Sequence, residues 1–325
     1  FRIVRARKNH VVAAISVWLR VQNVVFFLHD LEAWELANEL RDRCDVVDEW
    51  AAVEPDKRAL LWTNDAGEER VFTFTDIKRL SNQAANAFKE LGIGKGDVVM
   101  CILRRRWEYW VCAVALCKLG ATIIPASLQL TRKDVVYRAN SADVKAIVAV
   151  NDEYVCTQVE EAMPDCPTVR EKFIVDGSRE GWVDFDELIA SYPDTFERPT
   201  GEAGVTSKDI MLMYFTSGTT GNPKAVEHNF AHPLGHIITA KYWQQVQENK
   251  LHMSVTDSGW AKFGWGKIYG QWIAGATIFA YDMDKFVPTK LLQKIQDYKL
   301  TTFCAPPTMY RFMLQRSEER RVGKE

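Results

Sequence analysis

Short apolar segments alternate with longer helical segments through the middle of the chain, and this alternation constrains the fold more than any other feature. Buried strands are predicted at residues 98–103, 121–126 and 145–150. Residues 107–119, between the first two, are apolar nearly all round, which is typical of a helix enclosed by other elements. Strands joined by such crossover helices form a parallel sheet covered by helices. The sequence therefore predicts an α/β protein.

Other strands and helices are predicted on both sides of this region. Residues 59–62 and 71–74 alternate around a polar turn, as in a β-hairpin. Thr75 and Asp76 are expected to start the next helix, and Thr131 a later one. Further strands are expected at residues 172–175, 210–215, 251–255, 277–281 and 301–305. Further helices are expected at residues 31–53, 183–190, 230–246 and 288–298, the last with Leu291, Leu292 and Ile295 facing inward.

The polar connector at residues 191–208 suggests a subdomain boundary. It divides the chain into a first α/β subdomain, residues 31–200, and a second, residues 201–315. Residues 1–28 of the leader, which spans residues 1–30, carry several basic residues and no acidic ones, and the tail, residues 316–325, is nearly all charged. Both are interpreted as non-native or disordered, with a peripheral amphipathic helix and a solvated tail as the respective alternatives.

Composition restricts the partners and the compartment. The chain has 325 residues, 47% of them hydrophobic and 26% charged, with a net charge of −2. That balance is typical of a soluble globular protein and gives no reason to expect a nucleic-acid partner. Arg20 interrupts the apolar run near the start, which disfavours an integral membrane segment. The seven cysteines are scattered without a Cys-x-x-Cys pair, which indicates reduced thiols in the cytoplasm.

The segment at residues 210–226 carries the strongest functional signal. Its apolar strand is followed at once by hydroxyl side chains, two glycines that permit a sharp turn, and the mobile charge of Lys224. A polyphosphate requires this combination of many donors, little bulk and a cation. The spacing differs from that of the P-loop, so a kinase or small GTPase is disfavoured; a hairpin turn without a ligand is the alternative. The predicted phosphate-binding residues are Thr216, Ser217, Gly218, Thr219, Thr220, Gly221, Asn222, Pro223 and Lys224.

The segment FTSGTTGNPKAV resembles the phosphate-binding signature of the acyl-adenylate-forming superfamily, which contains acyl-CoA synthetases, luciferases and peptide-synthetase adenylation domains. Ala225 departs from the glycine that is usual in this superfamily. The segments LGATIIPASLQLTRKDVVYRANSA and FCAPPTMYRFMLQ resemble acyl-CoA synthetases, most closely the medium-chain branch. The resemblance covers residues 31–315.

This resemblance implies the large N-terminal domain of an adenylate-forming enzyme, with mostly parallel sheets layered with helices. The domain is expected to be incomplete, because the later acidic motif, the ribose-binding aspartate and the hinge have no counterpart in the sequence. The small C-terminal lid domain with its catalytic lysine also has no counterpart. No catalytic residue is therefore assigned, and the chain as given is expected to have no useful synthetase turnover.

The resemblance implies ATP-dependent activation of a carboxylic (fatty) acid to acyl-AMP and then to acyl-CoA, with Mg²⁺ required and coenzyme A as co-substrate. Two alternatives stay open. One is an aryl or amino-acid adenylation domain that loads a carrier protein, although the aromatic residues at 260–272 disfavour a pocket for an amine. The other is a non-catalytic nucleotide-binding module. The sequence does not predict the oligomeric state or the acyl chain length.

A second candidate site follows the strand at residues 251–255. The turn at residues 257–260 stands at a strand end, where ligands bind in sheets of this type. Trp260, Trp265 and Gly266 are assigned to an acyl and CoA channel, with the small residue Gly264 also leaving room. The alternative is a helix simply packed by its aromatic residues.

Three histidines, His228, His232 and His236, are spaced four residues apart. Zinc can use this spacing when all three lie on one helical face. Pro233 interrupts the series and no glutamate completes a metalloprotease pattern, so surface or packing roles are favoured. No metal site is predicted.

Overall fold

The structure, a computed structural model, describes residues 43–216 and 221–322. Its strands are β1 (Arg58–Asn64), β2 (Glu69–Thr73), β3 (Val98–Ile102), β4 (Thr122–Pro125), β5 (Val144–Val150), β6 (Glu171–Val175), β7 (Val183–Asp184), β8 (Ile210–Thr216), β9 (Lys224–Asn229), β10 (Leu251–Ser254), β11 (Thr277–Asp282) and β12 (Thr302–Cys304). Its α-helices are α1 (Arg43–Val53), α2 (Phe74–Glu90), α3 (Glu108–Leu119), α4 (Arg132–Ser141), α5 (Glu153–Ala162), α6 (Phe185–Ala190), α7 (His232–Ile238), α8 (Ala261–Lys267), α9 (Tyr269–Ile273), α10 (Pro288–Asp297) and α11 (Pro307–Val322).

The larger sheet has seven strands in the order β7-β6-β5-β3-β4-β8-β9. Its neighbouring strands are parallel, except for the antiparallel pair β8 and β9 at one edge. The predicted parallel sheet with crossover helices is thereby confirmed. The carboxyl ends of β3, β4 and β8 consequently meet at one edge of this sheet.

The smaller sheet has five strands in the order β12-β10-β11-β1-β2. Strands β12, β10, β11 and β1 run parallel, and β2 returns antiparallel to β1 in the predicted hairpin. The two sheets interleave along the chain, because β1 and β2 join the later strands while β8 and β9 extend the earlier ones. Each sheet therefore contains strands from both sides of the subdomain boundary predicted between residues 200 and 201.

Helix α3 lies at the centre of the main core. Every one of its residues is buried, as the all-round apolar pattern predicts. Its Trp110 contacts Phe263 with ring centroids 5.1 Å apart, so the helix joins elements from distant parts of the chain. Complete burial of such an aromatic side chain contributes roughly 1.5–3 kcal/mol through removal of apolar surface from water.

Helix boundaries correct several sequence expectations. The cap of α2 is Thr73, whose hydroxyl accepts a hydrogen bond from the Asp76 amide, so the helix starts before Thr75. Thr131 caps α4 in the same way, as predicted. Residues 183–190 contain strand β7 as well as helix α6, and on α10 only Leu291 is buried, while Leu292 is 40% exposed.

The predicted helix over residues 230–246 is shorter and changes its winding. Helix α7 ends at Ile238 and continues as a π-helix over Thr239–Trp243. His228 precedes it on β9 and is therefore not a helical residue. A contact across the turn, rather than helical spacing, brings it near the other two histidines.

The two ends of the chain are described in part. The leader, residues 1–30, and the first part of the helix expected from residue 31 lie outside the described residues. At the other end the backbone of α11 is helical as far as Val322, whereas the sequence suggested a non-native or disordered tail from residue 316. Within the described ranges, none of the helices combines the length and apolar character that a bilayer crossing requires.

Candidate functional site

The turn between β8 and β9 stands at the carboxyl edge of the larger sheet. Strand β8 is buried through most of its length, whereas Thr216 at its end and Lys224 at the start of β9 are exposed. These two residues pair across the hairpin, and the Thr216 hydroxyl donates to the Lys224 carbonyl oxygen over 3.4 Å. The predicted ligands Ser217, Gly218, Thr219 and Thr220 lie outside the described residues. The described ends of the turn therefore present one hydroxyl and one cation to the solvent.

The exit of this turn is shaped by a glycine and a proline. Gly221 has a φ of +147°, a conformation that side-chain-bearing residues rarely adopt. Asn222 is exposed, and Pro223, which has no amide hydrogen to donate, is half-buried. Its carbonyl oxygen accepts a 2.9 Å hydrogen bond from the Tyr137 hydroxyl of α4. The backbone therefore bends at Gly221, shortly before Lys224, and the hydrogen bond from Tyr137 holds it at Pro223.

The second predicted element, the turn at residues 257–260, comes from the smaller sheet but contacts the larger one. The Ser258 amide donates to the Arg104 carbonyl oxygen over 3.1 Å. Gly259 packs so tightly on Ser127 that a Cβ would lie 2.4 Å from the Ser127 nitrogen. Trp260 remains 67% exposed. The carboxyl ends of both sheets therefore meet at this turn, with one indole at the surface.

The aromatic residues after this turn divide into two groups. Phe263 and Trp272 belong to the core: Phe263 contacts Tyr109 at 4.7 Å, and the Trp272 indole donates to the Ala59 carbonyl. Trp265 is only partly buried and stacks on His236, with ring planes 12° apart. For Phe263 and Trp272 the packing alternative is correct.

The two glycines of α8 are closely packed in this structure. A Cβ at Gly264 would lie 2.7 Å from the Tyr269 hydroxyl, and one at Gly266 would lie 2.7 Å from the Ser254 hydroxyl. The space beside each glycine is therefore occupied by a hydroxyl group. The assignment of Trp260, Trp265 and Gly266 to an acyl and CoA channel stays a prediction.

The rings of the three histidines contact one another in series, the first pair tilted by 40° and the second edge to face at 79°. The ring centroids of His228 and His232 are 4.1 Å apart, and those of His232 and His236 are 4.6 Å apart. The Nε2 atoms of His232 and His236 lie 3.1 Å from each other. Burial lowers the pKa of His236 to about 4, so this ring is neutral at pH 7. Over the ranges the structure describes, no group of three His, Cys, Asp or Glu side chains is placed to hold a metal.

Sequence reasoning missed an arginine cluster at the carboxyl end of β3. Arg104 pairs with Asp282, the last residue of β11, over 2.7 Å, and with Asp284, just beyond that strand, over 3.1 Å. Arg105 lies 3.6 Å from Asp257 and donates to the Met283 carbonyl oxygen. The signal was present as three consecutive arginines directly after a buried strand. Arg106 pairs with its near neighbour Glu108 over 2.9 Å. The acidic partners of Arg104 and Arg105 lie far along the chain and could not be paired from the sequence.

Lys267 completes this cluster from the end of α8. Its side chain is fully buried, and Nζ donates to the Thr256 carbonyl oxygen over 3.3 Å. Burial lowers its pKa to about 7, and Arg105 acts in the same direction, while Asp257 and Asp282 oppose the shift. A buried lysine of this kind is partly neutral at physiological pH. The cluster therefore links the turn at residues 257–260 to both sheets.

A glycine- and hydroxyl-rich turn with an exposed lysine, at the carboxyl edge of a parallel sheet, is typical of nucleotide-binding α/β proteins. Residues 47–324 match the family model described as AMP-binding enzyme, and the chain belongs to this family. It is 34% identical over 284 residues to the rat protein named acyl-coenzyme A synthetase ACSM4, mitochondrial. It is also 34% identical over 281 residues to the human protein named acyl-coenzyme A synthetase ACSM3, mitochondrial.

These relatives are longer than the chain. The match covers 85% of this chain and 48% of the rat protein, and 83% of this chain and 47% of the human one. The chain therefore spans about half the length of the curated relatives it matches. The likeness confirms the resemblance to the acyl-adenylate-forming superfamily and its medium-chain acyl-CoA synthetase branch.

Two solved structures share the fold. A Brucella canis acyl-CoA synthetase superposes with a TM-score of 0.74 at 18% identity, covering 85% of this chain and 49% of that one. The anthranilate CoA ligase AuaEII, in complex with anthranoyl-AMP, superposes with a TM-score of 0.72 at 22% identity. That match covers 81% of this chain and 49% of the ligase. The predicted α/β fold of an adenylate-forming enzyme is confirmed.

Proposed function

We propose that this protein takes part in the ATP-dependent activation of a carboxylic acid, first to an acyl adenylate and then to an acyl-CoA thioester. The observation that carries the proposal is the turn between β8 and β9. Thr216 and Lys224 are both exposed there, at the carboxyl edge of the larger sheet, where a polyphosphate can reach them. Family membership and the acyl-CoA synthetase names of the relatives support the same reaction class.

In this reaction a carboxylate oxygen of the acid bonds to the α-phosphorus of ATP, and pyrophosphate leaves. The thiol sulfur of coenzyme A then bonds to the acyl carbon, and AMP leaves. Nucleotidyl transfer depends mainly on positioning and on neutralisation of charge. The Lys224 ammonium would neutralise the β- and γ-phosphates, and the Thr216 hydroxyl would exchange its 3.4 Å hydrogen bond to the Lys224 carbonyl for one to a phosphate oxygen.

The acid is proposed to lie beside the turn at residues 257–260. Trp260 is 67% exposed there, and Trp265 is partly buried behind it, so the two indoles offer an apolar surface next to the junction of the sheets. Gly266 is buried beside Ser254, and its carbonyl oxygen accepts a 2.9 Å hydrogen bond from His252, so it would support this wall rather than contact the acid. An apolar wall with a few polar groups is typical of a site for a fatty acyl group.

Magnesium fits this site only as an ion carried by the phosphates. Mg²⁺ prefers oxygen ligands and usually keeps several waters while it bridges substrate phosphates. Thr216 offers one hydroxyl oxygen, but the described residues contain no cluster of three metal-binding side chains. The ion would add positive charge beside the phosphates, and no protein carboxylate is assigned to it.

A cytoplasmic location is also proposed. The cysteines Cys101, Cys112, Cys117, Cys156, Cys166 and Cys304 are buried free thiols, which supports a reducing compartment. The names of the mammalian relatives contain the word mitochondrial, which describes those proteins and not this chain. Fractionation of the source cells, with immunodetection of the protein, would test the location.

Calorimetric titration with MgATP tests the nucleotide proposal. Lys224→Ala is expected to raise the Kd at least about tenfold, because a hydrogen bond to a charged group contributes about 1.5–3 kcal/mol. The matched control is Lys208→Ala, which removes an exposed lysine just before β8, at the opposite end of the β8–β9 hairpin, and should leave the Kd unchanged. Equal affinity of wild type and Lys224→Ala, or no binding by the wild type, would contradict the proposal.

A further inference from the structure

Helix α4 packs against the turn between β8 and β9 through Tyr137, a residue for which the sequence pattern predicted no role. Tyr137 donates its hydroxyl hydrogen to the Pro223 carbonyl oxygen over 2.9 Å. The same ring meets Phe215 edge to face, with centroids 6.2 Å apart and planes at 76°. Phe215 precedes the turn and Pro223 follows the glycine at its exit. One side chain therefore contacts both described ends of the turn.

A neighbour on the same helix reinforces the contact with Phe215. The Arg138 guanidinium carbon lies 5.4 Å from the Phe215 ring centroid, within the range of a cation–π interaction. Arg138 is itself held by Asp134, 3.4 Å away. Phe215 thus touches two consecutive residues of α4, and its position depends on that helix.

Helix α4 is well anchored and can act as a rigid support. Thr131 and Asp134 cap its first turn reciprocally, and Val135 and Ala139 are fully buried against the larger sheet. Near its end the Asn140 side chain donates to the Asp165 carbonyl oxygen over 2.9 Å. Side chains held by capped and packed elements position their partners more precisely than side chains on loops.

The backbone beyond the turn has few other restraints. Strand β9 is the edge strand of its sheet, and most of its residues are exposed. Lys224 directly follows Pro223, so a fixed Pro223 carbonyl also fixes the start of the segment that carries the ammonium group. The exit of the turn is also tied to the rest of the protein by the pairing of β9 with β8.

We infer that Tyr137 is a positioning residue for the phosphate-binding turn: by joining Phe215 to Pro223 it fixes the two described ends of the turn, and with them the start of the Lys224 segment, before the nucleotide arrives. The inference rests on the proposed function for its consequence, but the ordering itself is a property of the free protein. Ordering a binding segment in advance removes a cost that the ligand would otherwise bear, so affinity increases.

The test compares wild type with Tyr137→Phe, which keeps the ring and removes only the hydroxyl. Hydrogen–deuterium exchange of the free protein should accelerate about fivefold in peptides covering residues 217–226, the factor equivalent to about 1 kcal/mol for one hydrogen bond. The Kd for MgATP should rise by a similar factor, while the melting temperature falls by no more than about 2–4 °C. The control is Tyr154→Phe, a 49% exposed tyrosine on α5.

Unchanged exchange in this peptide would overturn the inference, and so would acceleration spread equally to peptides of β3 and β5. The same would follow if Tyr154→Phe had an equal effect. Failure of the wild type to bind MgATP would contradict the proposed function alone, because the exchange data would still show whether Tyr137 orders the turn. The two failures are therefore distinguishable.

Discussion

Arg104 and Asp282 form an ion pair between the two sheets, with 2.7 Å between Nε and Oδ1. Arg104 follows β3 of the larger sheet, and Asp282 ends β11 of the smaller one. The Asp282 side chain is fully buried, and neither of its oxygens accepts a well-aligned hydrogen bond, so the contact is mainly ionic. Burial raises the pKa of Asp282, and Arg104 opposes that shift. The junction of the sheets therefore depends on this guanidinium.

Replacement of Arg104 should destabilise the protein strongly. Arg104→Met leaves the buried Asp282 carboxylate without its partner, and we expect the free energy of unfolding to fall by about 3 kcal/mol. Urea denaturation followed by tryptophan fluorescence measures the loss. The control is Arg132→Met, whose ion pair with Asp165 is about half exposed and should contribute less than about 1 kcal/mol. Equal losses in the two variants would contradict the assignment.

Lys267 should make stability rise with pH. Its pKa is about 7 in the folded protein against 10.5 for the ordinary side chain, so the unfolded chain binds more protons between these values. The free energy of unfolding should therefore gain up to about 1.4 kcal/mol per pH unit in this window, and nothing from this residue below it.

The comparison with Lys267→Met isolates this effect. The stability of wild type minus that of the variant should be constant from pH 5 to about pH 6.5 and should increase from about pH 7 to 10, as judged by urea denaturation at each pH. A difference that stays flat over the upper range would show that Lys267 keeps its ordinary pKa.

Gly259 should tolerate no side chain. A Cβ there would lie 2.4 Å from the Ser127 nitrogen and 2.6 Å from its Cα, and backbone cannot move aside as a flexible side chain can. Gly259→Ala should lower the free energy of unfolding by about 1–3 kcal/mol, the usual cost of overpacking. Gly94→Ala is the control, because the space around Gly94 is open. An unchanged melting temperature for Gly259→Ala would mean that the turn at residues 257–260 is not seated on Ser127.

Gly221 should affect nucleotide binding through its backbone. Its φ of +147° makes Gly221→Ala strained even though nothing lies within 4 Å, and relief of about 1–3 kcal/mol of strain would reshape the turn. We expect MgATP affinity to fall about tenfold or more, measured by calorimetry. Gly201→Ala carries comparable strain at a φ of +66° in the connector, remote from the turn, and should leave affinity unaltered. An equal loss of MgATP affinity in both variants would show that the effect is general to the fold rather than specific to the turn.

Local patterns predicted the elements of this protein well. The β1–β2 hairpin, the enclosed helix α3 and the cap at Thr131 follow from alternation, apolar character and capping chemistry within a few neighbouring residues. The start of α2 was misplaced because Thr73 and Thr75 both offer a capping hydroxyl, and only the bond to Asp76 distinguishes them.

The sequence alone could not predict contacts between residues that are far apart along the chain. The sequence prediction placed Leu292 on the inward face of α10, but this side chain is 40% exposed, because its exposure depends on which elements pack beside the helix. The core positions of Phe263 and Trp272 could not be told from a channel wall, because indole and phenyl rings suit both environments.

The sequence by itself determined the strand-and-helix alternation, the parallel sheet and the chemical character of the turn before Lys224, because each depends on neighbouring residues and on residue type. Only the tertiary structure decided that the two sheets interleave along the chain and that Arg104 meets Asp282. It also decided that Tyr137 lies under the turn. These contacts join residues 78 to 178 positions apart, so their formation depends on the packing of whole layers rather than on any local pattern.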